Sequence, residues 1–217
     1  MSSSGPTLLA FDTSGPHVAA CLVSGGEVVD QTSESMSRGQ AERLIPALEE
    51  MLARAGLALS DLDAIGVGTG PGNFTGIRIS VSAARGLALG LGIPAVGVST
   101  LEAVALDAPR PMVAAVSASR GGAYYQVFDT GGPQDPQMIH SDGDSTGWEQ
   151  LAGRFAPDMP LMAFDLPLQR PAHSLVQGIA RIAARRYADP ATPRPAPLYI
   201  RPADAAPSRE RPPVLLD

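Results

Sequence analysis

The sequence predicts an α/β fold in two related lobes, on three observations. Residues Thr7–Phe11, His17–Val23 and Glu27–Thr32 are short, partly β-branched runs. The turn-forming stretches Asp12-Thr13-Ser14-Gly15-Pro16 and Ser24-Gly25-Gly26 separate them, which makes an antiparallel meander. Helical and strand patterns then alternate to residue 107. Beyond Ala108-Pro109-Arg110-Pro111, a lobe boundary by its prolines, a smaller variation of the same alternation follows.

In chain order, residues 1–6 are rich in small side chains and read as a frayed leader. The first lobe spans 7–107. After the meander, Ser37 and Gln40 have capping-box spacing and open a helix to about Ala55. Its apolar positions Ala41, Leu44, Ile45, Leu48, Met51, Leu52 and Ala55 form a one-faced stripe, and Pro46 predicts a kink. A strand at Ala64–Val67, a glycine-rich elbow, a helix at Thr75–Leu91, a strand at Ile93–Val96 and a short helix capped by Ser99 complete the lobe. The second lobe, 108–200, has strands at Met112–Ser117 and Ala123–Phe128 and helices near Gly147–Phe155 and His173–Tyr187. Residues 201–217, rich in proline and arginine, read as an extended tail.

Composition excludes several classes. The 217 residues carry a net charge of −6, with a pI near 5.0, which argues against a free-standing RNA or membrane binder. The single cysteine, Cys21, has no internal disulfide partner and reads as a buried strand position. No secretory signal is evident. The longest apolar region, Ile77 to Val98, is interrupted by Arg78, Arg85 and Pro94, so no membrane span is expected and the cytoplasm is the expected location.

The run Gly66-Val67-Gly68-Thr69-Gly70-Pro71-Gly72-Asn73-Phe74-Thr75-Gly76-Ile77-Arg78 is the most informative stretch. It closes no dinucleotide fingerprint and, lacking lysine, is no Walker loop. What remains is a strand, an elbow and a helix N-terminus, serving either as a ligand loop or as a sharp turn. Asp12 with Thr13, Ser14, Gly70 and Gly72 could form a vestigial nucleotide cleft, by resemblance to actin-like ATPases, whose first hairpin carries an acidic residue that positions the metal–nucleotide. The plainer reading, that Asp12 satisfies turn donors locally, is preferred because no second carboxylate or phosphate-binding lysine accompanies it. His17, His140 and His173 are scattered, so no metal site and no cofactor are expected, with weak nucleotide binding left open. Asp61 and Asp63 read as cap or turn residues, and Glu49 and Glu50 as solvated.

Leu9-Ala10-Phe11-Asp12-Thr13-Ser14, the run Gly68 to Arg78, Gly97-Val98-Ser99-Thr100-Leu101, Ser117 to Tyr125 and Pro197-Leu198-Tyr199-Ile200-Arg201-Pro202 together resemble the TsaB (YeaZ) family, over nearly the whole chain. The resemblance implies the two-lobed actin-like fold of sugar kinases, Hsp70 and actin. It also implies a non-catalytic subunit of the bacterial tRNA threonylcarbamoyladenosine complex. Its implied partners are a TsaD-like catalytic subunit, a TsaE-like ATPase and, in isolation, a second copy, with tRNA met through the complex. The catalytic relatives hold a metal with His-x-x-x-His on the helix after the meander. Here that place carries Arg38, Gly39, Gln40, Ala41, Glu42 and Arg43.

On the helix Thr75–Leu91, one face (Ile77, Val81, Ala84, Leu87, Ala88, Leu91) should pack on the sheet. A second carries Ile79, Ala83, Gly86 and Gly90, to be covered either by the chain's own preceding helix or by a partner. The resemblance favours the partner, with Leu44, Leu48 and Met51 joining the interface, and Ala83→Glu is expected to abolish pairing. Arg120 and Tyr124 belong to lobe packing or to a partner contact. The alternative function is a self-sufficient actin-fold phosphotransferase or glycoprotease-like enzyme.

Overall fold

A computed structural model describes residues 5–200; most of the expected leader and the whole tail 201–217 lie outside the described residues. The meander is β1 (Thr7–Asp12), β2 (His17–Ser24) and β3 (Glu27–Ser35). Helix α1 (Gln40–Arg54), strand β4 (Ala64–Gly68), helix α2 (Phe74–Leu91), strand β5 (Ala95–Val98) and helix α3 (Thr100–Val104) follow. The first sheet runs in the order β3-β2-β1-β4-β5, antiparallel through the meander and parallel from β1 to β5. The strand after α2 starts two residues later than its pattern suggested. Gly92 ends the helix in the left-handed region, and Pro94 has no N–H for the ladder.

Strand period two sorts β1 between two layers. Leu9 and Phe11 face α1 and α2 with Leu44, Leu48, Met51, Ile77 and Val81. Leu8 and Ala10 face the opposite layer with Val176, Ile179 and Ala183. Those last residues belong to α5 (Leu175–Arg186), a helix that the sequence boundary assigned to the second lobe but that packs on the first sheet. Sequence separation misplaced it: a sheet buried on both faces needs a second helical layer, and the late helix supplies it.

The second sheet holds β6 (Met112–Ser117), β7 (Ala123–Asp129) and three short strands the sequence reading missed: β8 (Gly132–Pro133), β9 (Gln137–Ile139) and β10 (Leu161–Ala163). None of the three exceeds three residues, too short for a period to register. Helix α4 (Gly147–Arg154) covers one face through Leu151, and α3 covers the other through Leu101 and Val104. Helix α3 therefore lies between the sheets, since its Ala103 packs into the first lobe's α5 layer.

Capping boxes form at Ser99/Glu102, Thr146/Glu149 and Ser174/Gln177, but not at Ser37/Gln40. Gly39, at φ 83°, is the N-cap of α1 instead. The Gln40 amide donates to the Gly15 and His17 carbonyls at 2.7 and 3.0 Å, so its side chain pins the β1–β2 turn rather than the helix end. Helix α1 is not interrupted at Pro46, which lies exposed, where the carbonyl it leaves unpaired can meet water.

Candidate functional site

The β1–β2 turn and the glycine elbow are built into one another. Asp12 is fully buried; its Oδ1 accepts from the Ser14 N–H and Oγ, both at 2.9 Å, and lies 2.9 Å from His17 Nε2. The Thr13 hydroxyl donates to the Gly76 carbonyl at 2.6 Å, and the Asn73 N–H to the Ser14 carbonyl at 2.7 Å. A Cβ on Gly68 would sit 1.9 Å from Asp12 Oδ2, so glycine there is what lets the carboxylate in. Asn73 caps α2, its Oδ1 accepting from the Gly76 N–H at 2.9 Å, which leaves that helix end partly satisfied from within.

A cleft of about 650 Å³ opens beside this knot, between the lobes. Ser14, His17 and Asn73 line it from the first lobe, and Ser117, Tyr124 and Asp165 from the second. Thr100, 3% exposed, also lines it, and its Oγ1 has no hydrogen-bond partner among the described residues. Asp12 Oδ2 is likewise buried and unpartnered. The Asp165 carboxylate is occupied by the Ser117 N–H at 3.2 Å and by the Ser117 hydroxyl.

Of the expected cleft group, Ser14 and Gly72 reach the cleft, Asp12 and Thr13 lie behind it, and Gly70 holds Thr100 through a 2.7 Å bond from the Thr100 N–H. Among the described residues no arginine lines the cleft, and the chain has no lysine. Asp165 and His17 supply the carboxylate and the imidazole of this lining, and a polyphosphate there would have no lysine or arginine among the described residues to balance it. Among the described residues no three of His, Cys, Asp and Glu converge as metal ligands.

The second candidate surface is the outer side of α1 and α2. Here the structure corrects the expectation for Leu44, Leu48 and Met51. All three are buried in the chain's own core, because they lie on the face of α1 that meets the sheet. Ile79 and Ala83 are half-buried along the edge of α2 nearest α1. Gly86 and Gly90 are exposed, with nothing within 4 Å of an added Cβ. Leu89, which neither sequence-derived stripe contained, is 85% exposed, and Ile45 of α1 is 36% exposed.

The family described as TsaD, tRNA N6-adenosine threonylcarbamoyltransferase, matches residues 28–147. An uncharacterized protein of Mycobacterium tuberculosis is 34% identical over 203 residues, covering 93% of this chain and 94% of its own. The tRNA threonylcarbamoyladenosine biosynthesis protein TsaB of Haemophilus influenzae is 37% identical over 124 residues, covering 55% of this chain and 52% of its own. A Pseudomonas aeruginosa crystal structure, of a protein described as similar to peptidase YeaZ, superposes with a TM-score of 0.65 at 26% identity. It covers 90% of this chain and 100% of that one.

The chain belongs to the TsaB (YeaZ) family.

The actin-like fold of the TsaB family is also carried by similarity, in fold alone, to an N-acetylglucosamine kinase from Chromobacterium violaceum, with a TM-score of 0.51 at 13% identity. No helix among the described residues is long and apolar enough to cross a membrane.

Within this TsaB-family chain, the residues the sequence reading missed are Asn73, Gln40, Thr100 and the Phe74–Tyr199 pair. Asn73 carried a readable signal, a preferred cap residue placed just before a helical run. Gln40 was legible only as a capping partner of Ser37, and the others carried no signal, because their roles depend on segments distant in sequence. The Phe74 and Tyr199 rings, for example, lie 5.3 Å apart across most of the chain. Asp61 takes the local role read for it, accepting from the Ala58 N–H at 2.8 Å, whereas Asp63 accepts from the Thr7 N–H at 2.7 Å, a long-range tie to the start of β1.

Proposed function

We propose that this chain is the non-catalytic assembly subunit of a tRNA threonylcarbamoyladenosine complex, pairing with a TsaD-like catalytic protein. One observation carries the reading: α2, apolar around most of its circumference, leaves Leu89 85% exposed. Gly86 and Gly90 beside it admit close approach of another helix. Family membership supports a TsaD-like protein as the partner. In this reading the TsaD-like protein transfers threonylcarbamoyl from threonylcarbamoyl-AMP to the adenosine beside the anticodon, supported by a TsaE-like ATPase in the cytoplasm. Alone, the chain pairs with a second copy through the same face.

The structure moves the decisive substitution. Ala83 touches the chain's own core, so a charge there tests folding as well as pairing. Gly86 touches nothing, and Gly86→Glu keeps the helix while placing a carboxylate in the contact. The expected result is a chain that melts no lower than the parent yet neither dimerises in light scattering nor co-purifies with its TsaD-like protein. A Gly86→Glu protein that pairs normally would remove this face from the interface.

A further inference from the structure

The C-terminal part of the described chain returns to α2 and leaves a groove of one charge sign. The Leu198 N–H donates to the Thr69 carbonyl at 2.9 Å, and Pro195 lies against Gly97. Tyr199 then packs on Phe74, and Arg78 donates from Nε to the Tyr199 hydroxyl at 3.0 Å while its guanidinium lies 4.0 Å over the Phe74 ring. Between this returning segment and α2 runs a groove of about 430 Å³, lined by Arg78, Val81, Ser82, Arg85 and Pro197.

Among the described residues both walls are free of carboxylates. No Asp or Glu occurs from Ala64 to Leu101 or from Pro190 to Ile200, in a chain that holds 22 acidic residues. Arg43, Arg54 and Arg186 are paired with carboxylates, whereas neither Arg78 nor Arg85 has one among the described residues. Seven residues apart on one side of α2, the two stand about 10 Å apart along the axis, which suits two separate anionic groups rather than one. At the end of the groove, Phe74 is 41% and Tyr199 44% exposed, so ring surface is open beside the cations.

We propose that this groove is a contact for a single-stranded or loop segment of RNA, with phosphates at Arg78 and Arg85 and a base stacked on the open side of Tyr199. The choice of RNA as the polyanion rests on the reading of the chain as part of a tRNA-modifying assembly. The groove adjoins the pairing face, since Leu89 stands one helical turn beyond Arg85 on the same side of α2. Arginine and aromatic groups in one groove are what a nucleotide chain requires, since each nucleotide brings both a phosphate and a ring face. Net charge −6 opposes long-range attraction, so the isolated chain binds weakly and the groove adds to other RNA-binding surfaces within the complex.

The test uses the full chain and a labelled anticodon stem–loop RNA, titrated over a range of salt. For Arg78→Ala/Arg85→Ala, the slope of log affinity against log salt should fall by about 1.4, roughly 0.7 for each single-strand phosphate no longer neutralised. Tyr199→Ala should weaken binding about tenfold with little change in slope, and Tyr199→Phe should retain it. Arg85→Ala alone, which removes no hydrogen bond or ion pair among the described residues, should give half the slope change and guards against a folding defect. Unchanged slopes would overturn the proposal. So would polyglutamate binding the same groove more tightly than RNA, which would assign it to an acidic protein. The double variant should still co-purify with the TsaD-like protein. Loss of pairing with RNA affinity intact would give the arginines to the protein interface, whereas loss of RNA affinity with pairing intact leaves the assembly reading standing.

Discussion

A Cβ at Gly76 would lie 1.9 Å from the Thr13 carbonyl oxygen, whereas one at Gly86, on the same helix, would meet open space. Identical substitutions should therefore act in opposite directions. Gly86→Ala should stabilise by about 0.5–1 kcal/mol, the ordinary gain of alanine over glycine inside a helix. Gly76→Ala should lose about 2 kcal/mol by forcing the elbow off the β1–β2 turn. Denaturant midpoints of the two variants check both signs. Cys21 offers a second test at this scale. Burial pushes its thiol up to about 12, an effect that Arg181 partly offsets and Asp30 reinforces. Because the thiolate is the reactive form, the native protein should resist alkylation at neutral pH and be labelled only on unfolding. Labelling of the native chain at the rate of a free thiol would contradict that.

Among elements, α5 is tied to the end of α3 by a small charged cluster. Asp107 Oδ2 lies 2.9 Å from His173 Nε2, and Oδ1 accepts from Arg185 at 3.3 Å. The hydrogen bond from His173, and then Arg185, hold the Asp107 carboxyl below its usual range. A carboxyl lowered in the folded state adds stability above its unfolded pKa, and that stability is lost as pH falls through the folded value. Because the group is well exposed, the contribution is below about 1 kcal/mol. Asp107→Asn should thus lower the melting temperature slightly near neutrality and converge with the parent below about pH 4. A difference that grows on acidification would refute the assignment. The start of α1 is likewise settled between elements. Ser37 and Gln40 have capping spacing, but Gln40 finds better partners in the Gly15 and His17 carbonyls. That competition is tertiary.

For the whole molecule, the candidate chemistry is spread rather than gathered. His17 is engaged with Asp12 and His173 with Asp107, while the His140 carbonyl accepts from Gln150. These pairs sit on different elements, and so the isolated chain should show no threonylcarbamoyl transfer and should retain no stoichiometric metal after mild chelation. Elemental analysis with a single-component activity assay decides it; one zinc or iron per chain surviving chelation, or turnover without partners, would favour the enzyme reading. Along α2 the groove at Arg78, Ser82 and Arg85 adjoins exposed Leu89, so one helix would present neighbouring surfaces to two partners.

Local pattern was enough for the α/β class, the meander, the elbow and the core side of α2, because strand and helix periods are written within ten or so residues. Ile77, Val81 and Ala84 are buried as their spacing requires. Burial by a distant segment leaves no such trace. The apolar stripe of α1 held Leu44, Leu48 and Met51, but only the sheet packed beneath them shows that they are interior and that Ile45 is not. Likewise α5 joins the first sheet, and Tyr199 reaches Phe74, only after the chain has folded back on itself. The sequence by itself determined which faces must be covered. What covers each of them, and so which of α2's sides remain open to partners, was decided by tertiary packing, since a covering surface is a property of two segments and a period is a property of one.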